Sequence, residues 1–192
     1  VTFGPLTLRN RTIRSAAFES MCPGNAPSDM LLDYHRSVAA GGIGMTTVAY
    51  AAVTRSGLSF DRQLWMRPEI IPGLRELTDT IHAEGAAAGI QLGHCGNMSH
   101  KSICGCTPVG ASGGFNLYSP TFVRGLRADE LPEMARAYGR SVNLAREAGF
   151  DAVEIHAGHG YLISQFLSPS TNHRKDEFGG SLQNRMRFMD LS

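Results

Sequence analysis

The sequence predicts an α/β fold of repeated strand–helix units, and three observations carry that prediction. Three helix-like stretches end in small residues and glycine, then pass at once into an apolar run: Ala40-Gly41-Gly42-Ile43-Gly44-Met45, Glu84-Gly85-Ala86-Ala87-Ala88-Gly89-Ile90 and Ala148-Gly149-Phe150-Asp151-Ala152-Val153. Glycine suits the position after a helix because it accepts the left-handed conformation, and a short loop into a buried strand is the usual sequel. The apolar runs are short and nearly continuous, as strands of a parallel sheet covered by helices must be. No G-x-G-x-x-G follows any of them, which favours a (β/α)8 TIM barrel over a doubly wound sheet. The chain then covers roughly the first four βα units.

Residues 1–10 suit a small N-terminal hairpin closing the barrel floor. Strands are expected at residues 12–18, 44–53, 87–94 and 151–157. The first helix carries Leu31, Tyr34, His35 and Val38 on one face, with Ser28 or Asp29 as its cap. Pro68 marks the start of the second, whose stripe is Ile71, Leu74, Leu77, Thr78 and Ile81. Leu131, Met134, Ala135, Tyr138, Val142 and Ala145 line the third, with Pro132 tolerated in its first turn. A fourth begins near Ser181 and runs to the end of the chain. This organisation reads as one partial-barrel domain over residues 1–192, cut within its fourth helix. The Gly-, Ser- and Pro-rich segment 96–127 leaves the C-terminal end of the third strand. On that face of a barrel it is expected to serve as a lid or substrate wall, the alternative being a disordered insertion.

Composition narrows the function. An apolar fraction of 42% and a charged fraction of 18% belong to a globular protein, and a formal net charge of +1 gives no footprint for nucleic acid or an anionic membrane. No apolar run nears the ~20 residues that cross a bilayer. Residues 1–5 carry no secretory signal, so a cytoplasmic address is expected. Cys22, Cys95, Cys104 and Cys106 lack paired C-x-x-C spacing and read as unpaired thiols, neither a zinc site nor a disulfide framework.

Polar side chains gather where the third and fourth strands end: Gln91 and His94, then Glu154 and His156. Glu154 needs a cationic partner if it points inward, and Arg14 is the candidate. Beyond the fourth strand the chain reads His156-Ala157-Gly158-His159-Gly160-Tyr161. Two histidines three apart suggest a metal pair, as in a metal-dependent barrel lyase, yet no third ligand accompanies them. They equally suit donation of two hydrogen bonds to one carbonyl oxygen, with the Tyr161 phenol as a proton donor. Ordinary hydrogen-bonded loop histidines are a third reading.

The run from Gly149 to Leu162 leads into Gln165-Phe166-Leu167-Ser168-Pro169, then Asn172-His173-Arg174-Lys175-Asp176-Glu177-Phe178-Gly179-Gly180-Ser181 and Asn184-Arg185-Met186-Arg187-Phe188. This resembles the signature of the Old Yellow Enzyme family of FMN-dependent ene-reductases. Weaker matches at Leu8-Arg9-Asn10-Arg11, Gly41-Gly42-Ile43-Gly44 and Ile90-Gln91-Leu92-Gly93-His94 extend it along nearly the whole chain. The resemblance implies that FMN lies at the barrel mouth, contacted by Ser15, Ala16 and Ala17 after the first strand and by Ala49 or Tyr50 at the end of the second. It makes Gln91 the hydrogen-bond partner of the flavin pyrimidine edge. His156 and His159 become the His-x-x-His/Asn pair that holds the substrate oxygen, and Tyr161 the proton donor. NAD(P)H is then the reductant, a small activated alkene the substrate, and no nucleic acid or membrane is a partner. Self-association into a homo-oligomer stays open.

Departures bear on subclass. One branch has a cysteine three residues after the serine matching Ser15, where this chain has Phe18, and Cys22 lies too far along to replace it. Members often have arginine three residues after the histidine matching His94; here Asn97 stands there. Cys104 and Cys106 do not match the cysteine series of the iron–sulfur branches. Asn172, Arg174, Asp176, Asn184 and Arg185 read as a structural hydrogen-bonded loop, and Trp65 as packing. The phosphate-binding strands of such a barrel lie past Ser192, so this polypeptide alone is expected to bind FMN weakly or not at all. A non-catalytic half-barrel or interaction module is the alternative from another class.

Overall fold

A computed structural model describes the backbone of residues 1–192 and every side chain except that of Phe3. In chain order the strands and helices are β1 (Thr2–Phe3), β2 (Leu6–Thr7), β3 (Ile13–Arg14), α1 (Asp29–Ala40), β4 (Met45–Ala52), α2 (Ile71–Ala83), β5 (Ala87–Gly93), α3 (Lys101–Cys104), β6 (Val109–Gly110), β7 (Gly114–Asn116), β8 (Thr121–Gly125), α4 (Leu131–Glu147), β9 (Ala152–Ile155), α5 (Leu162–Leu167) and α6 (Leu182–Leu191). They form two compact units. The first comprises Val1–Ala51, Asp61–Leu92 and Ser141–Ile155; the second comprises Ala52–Phe60, Gly93–Arg140 and His156–Ser192.

The first unit holds the expected N-terminal hairpin, with β1 antiparallel to β2, and a four-stranded sheet in the order β3-β4-β5-β9. β3 runs parallel to β4, with Arg14 opposite Thr46, and β5 runs parallel to β9, with Gln91 opposite Glu154. The Ser28 hydroxyl accepts from the Leu31 N–H and caps α1. α1 and α2 pack together, and Leu31, Leu74, Leu77 and Ile81 are fully buried, each contributing ~1.5–3 kcal/mol of hydrophobic stabilisation. The turns into β4, β5 and β9 hold Gly42, Gly85 and Gly149 at φ of +92°, +76° and +92°, the left-handed geometry that made glycine informative in the sequence.

Two expectations fail in this unit. The first strand is not seven residues but two, and the chain leaves the sheet after Arg14. Arg14 is also not the partner of Glu154: it pairs with Glu19 at 3.1 Å, while Glu154 accepts from Gln91 Nε2 at 2.6 Å. Cross-strand register explains the second result, since Gln91 and Glu154 are direct neighbours on adjacent strands. Trp65 packs beneath the Arg67 guanidinium, 5.0 Å from its ring centre.

In the second unit the segment after β5 is folded, not disordered. It forms α3 and a three-stranded sheet in the order β6-β8-β7, with β6 parallel and β7 antiparallel to β8. α5 and α6 meet through Phe166 and Phe188, whose rings lie 4.5 Å apart. The polar loop between them is built as expected: Asn172 Nδ2 donates to Phe166 O and Phe178 O, Arg174 pairs with Asp176, and Arg185 Nε donates to Leu167 O. Sequence periodicity did not show α5, a helix of only six residues. Among the described residues no helix is long and apolar enough to cross a membrane.

Candidate active site

In the second unit, the residues immediately after β9 draw His156, His159 and Tyr161 together. His156 is buried, His159 exposed and Tyr161 half-buried. The His156 ring centre lies 4.9 Å from those of both His159 and Tyr161, edge to face in each case. His156 Nε2 and His159 Nδ1 are 3.1 Å apart, and the Gly158 N–H donates to His156 Nδ1. For neutral rings this pattern puts the His156 proton on Nε2, aimed at His159 Nδ1, and the His159 proton on Nε2. The two imidazoles are thus hydrogen-bonded to each other in this state. An oxygen entering between these nitrogens could accept from both once each carries a proton.

The backbone beneath them is tightly wound. His159 adopts φ +55° and Gly160 φ +69°, and the Tyr161 N–H closes a turn onto Gly158 O. Gln165, fully buried on α5, fastens this turn: its Nε2 donates to Gly160 O at 2.6 Å and to Cys95 O at 3.1 Å, and its Oε1 accepts from the Asn97 N–H at 3.1 Å. A side chain at Gly96 would collide with the Gln165 amide. The sequence flagged Gln165 only as part of a motif. An amide one helical turn after the His156–Tyr161 loop, in an otherwise apolar stretch, is the signal that could have found it.

His94, also flagged at a strand end, does a different job. It is fully buried, accepts from the Gly96 N–H through Nδ1 at 2.9 Å and donates from Nε2 to Ser56 Oγ at 3.0 Å. Burial pushes its pKa down to about 3, so the ring is neutral and structural. A cavity of about 550 Å³ lies against the turn at His159 and Gly160, lined by Asn97, Met98, Phe115, Tyr118, His159 and His173 among others, with no carboxylate, lysine or arginine. A larger groove of about 930 Å³ in the first unit, lined by Arg36, Pro72, Arg75, Asp79 and Glu147 among others, contains none of the candidate residues.

The positions matched to flavin contacts lie in the first unit. Ser15, Ala16 and Ala17 follow β3 outside any helix or strand, with Ser15 and Ala17 exposed. Ala49 and Tyr50 are buried in β4. The Ala49 N–H donates to Glu19 Oε2 at 3.2 Å, and Tyr50 O accepts from Gln63 Nε2 at 3.1 Å. Gln91 is buried on β5, oriented by Glu154. This donor set fits a flavin: small side chains admit a planar ring, and an amide offers both an N–H and a C=O to its pyrimidine edge. The carboxylate of Glu19 escaped the sequence reading, and His35, expected only on the apolar face of α1, is its neighbour at 3.3 Å. Among the described residues no group of three or more His, Cys, Asp or Glu is placed to hold a metal ion. All four cysteines are free thiols.

The chain is similar to known proteins along nearly its whole length. The chain is 42% identical to a 4,4'-dithiodibutanoate disulfide reductase of Rhodococcus erythropolis, over 96% of this chain and 46% of that protein. It is 36% identical to an NADPH dehydrogenase of Bacillus subtilis, over 98% of this chain and 56% of the relative. It therefore spans about half the length of the curated relatives it matches. Among solved structures, an old yellow enzyme homologue from Zymomonas mobilis superimposes with a TM-score of 0.92 at 28% identity, over 100% of this chain and 56% of that one. Morphinone reductase in complex with tetrahydroNAD gives 0.90 at 28%, over 98% and 56%. These matches put the fold in the TIM-barrel class, of which the chain covers part. The NADH:flavin oxidoreductase / NADH oxidase family matches along residues 1–190, and it is to this family that the chain belongs.

Proposed function

We propose that the full-length protein is an FMN-dependent NAD(P)H oxidoreductase that reduces activated alkenes. The observation that carries the proposal is the convergence of two imidazole nitrogens 3.1 Å apart beside the Tyr161 ring. His156 and His159 hold the substrate's carbonyl oxygen and stabilise the negative charge that develops on it. Tyr161 delivers a proton to the α-carbon. Ser15, Ala16, Ala17, Ala49, Tyr50 and Gln91 would hold the FMN ring, and bound FMN would supply the hydride chemistry, with NAD(P)H as the reductant. The uncharged lining of the neighbouring cavity suits a neutral substrate, and the folded segment 96–127 supplies much of that lining.

The test is spectroscopic. Purified full-length protein should show flavin absorbance that bleaches with NADPH or NADH and returns on adding a cyclic enone. Protein without flavin, or a bleached flavin that no enone restores, would refute the proposal. An organic disulfide belongs in the same assay, because the relative from Rhodococcus erythropolis is named for reducing one. Recovery with the disulfide but not with the enone would transfer the proposal to that substrate class.

A further inference from the structure

β3 stops where its neighbour does not. β4 runs on from Met45 to Ala52, whereas β3 ends at Arg14, opposite Thr46. Continued in this register, the strand would set Ala16 opposite Val48. A parallel ladder would then bond the Ala16 N–H and C=O to Thr47 O and the Ala49 N–H. Side chains take both of those β4 groups instead. Arg14 Nη1 donates to Thr47 O at 2.7 Å, and Glu19 Oε2 accepts from the Ala49 N–H at 3.2 Å. The two side chains pair at 3.1 Å and are 14% and 4% exposed. His35 Nε2 lies 3.3 Å from Glu19 Oε1, and its Nδ1 is bonded to Thr46 Oγ1 at 2.8 Å. Arg14 also donates to the Tyr34 hydroxyl and to Ala17 O. α1, β4 and the segment after β3 thus meet on one carboxylate and one guanidinium.

We infer that Arg14 and Glu19 are positioning residues for the cofactor: they substitute for a strand along the β4 edge and thereby keep the backbone of Ser15, Ala16 and Ala17 out of the sheet to face the flavin, with Arg14 anchoring Ala17 O. The inference rests on the reading of those three residues as flavin contacts. A buried ion pair is a costly way to hold a sheet edge, because both charges must be desolvated. A longer β3 would satisfy the same two backbone groups without charges, but it would consume the peptide groups of Ala16.

The test uses full-length protein and three variants, Glu19→Gln, Glu19→Ala and Arg14→Lys. FMN affinity is measured by quenching of flavin fluorescence, and hydrogen exchange at the Ala49 amide is followed in flavin-free protein. Glu19→Ala should weaken FMN binding at least tenfold and speed Ala49 exchange by a similar factor. Glu19→Gln, which keeps one acceptor oxygen, should fall between it and wild type. Arg14→Lys keeps the charge but cannot reach Thr47 O and Glu19 together; it should weaken FMN binding and remains informative if the Glu19 variants fail to fold. Variants that fold with wild-type FMN affinity and an unchanged flavin absorption band would overturn the inference while leaving the proposed function intact. Wild-type protein without flavin would overturn both.

Discussion

Replacing His94 with asparagine should flatten the acid limb of the protein's stability curve. In the folded chain His94 accepts from the Gly96 N–H through Nδ1, where a second proton would face that N–H at 2.9 Å. Burial pushes its pKa down from 6.5 to about 3. Unfolded, the same imidazole takes a proton as pH drops through 6.5. Between the two values the unfolded state binds one proton more, so stability is fully present above about 6.5 and is lost as pH falls towards 3. The slope is at most about 1.4 kcal/mol per pH unit, and the loss from pH 7 to pH 4 comes to about 3 kcal/mol. Carboxylates titrate over the same range, so the quantity to measure is the difference between wild type and His94→Asn. Asparagine keeps an oxygen for the Gly96 N–H but has nothing to titrate. Urea midpoints followed by circular dichroism at half-unit pH steps give both curves. The variant should start lower at neutral pH and converge on wild type by pH 4. Parallel curves would refute the reasoning.

Three further outcomes are expected. Gln165→Leu leaves Cys95 O and the Asn97 N–H without their buried partner and should cost about 2–4 kcal/mol in urea denaturation; a loss under ~0.5 kcal/mol would show that the amide does not hold the reactive turn. Tyr161→Phe should slow enone reduction by about 10²–10⁴-fold while leaving flavin bleaching by NAD(P)H near wild type, as loss of a proton donor requires; stopped-flow measurement of the two half-reactions separates the effects. Iodoacetamide on native protein should label Cys106 first among these four thiols, because it alone is exposed. Burial pushes Cys22 up to about 12, with Glu19 adding to the shift. Peptide mapping that finds Cys22 or Cys95 modified before unfolding would contradict the buried packing.

The parts of the molecule that repeat were readable in its sequence. Gly42, Gly85 and Gly149 marked three helix-to-strand turns, and the stripes of α1, α2 and α4 followed from their spacing. His156, His159 and Tyr161 stand out because all three lie within six consecutive residues that follow an expected strand. Features that depend on partners distant in sequence were not readable. Glu19 joins Arg14, His35 and Ala49, and no periodicity encodes that meeting. A hint was nonetheless present: Arg14 interrupts an apolar strand and His35 an apolar helix stripe, and buried polar groups of that kind demand partners. The extent of β3 was overestimated for the same reason. Residues 15–18 are apolar enough for a strand, but the side chains at positions 14 and 19 claim the neighbouring edge.

The φ of +55° at His159 limits which amino acids evolution can try there. A left-handed backbone readily admits glycine, asparagine, aspartate and histidine but penalises most others. The proposed role of holding a substrate oxygen further demands a side-chain N–H, which removes glycine and aspartate from that short set. Histidine and asparagine remain, the same two residues that the resemblance implies at this position. The turn therefore constrains this alphabet before any chemistry is selected.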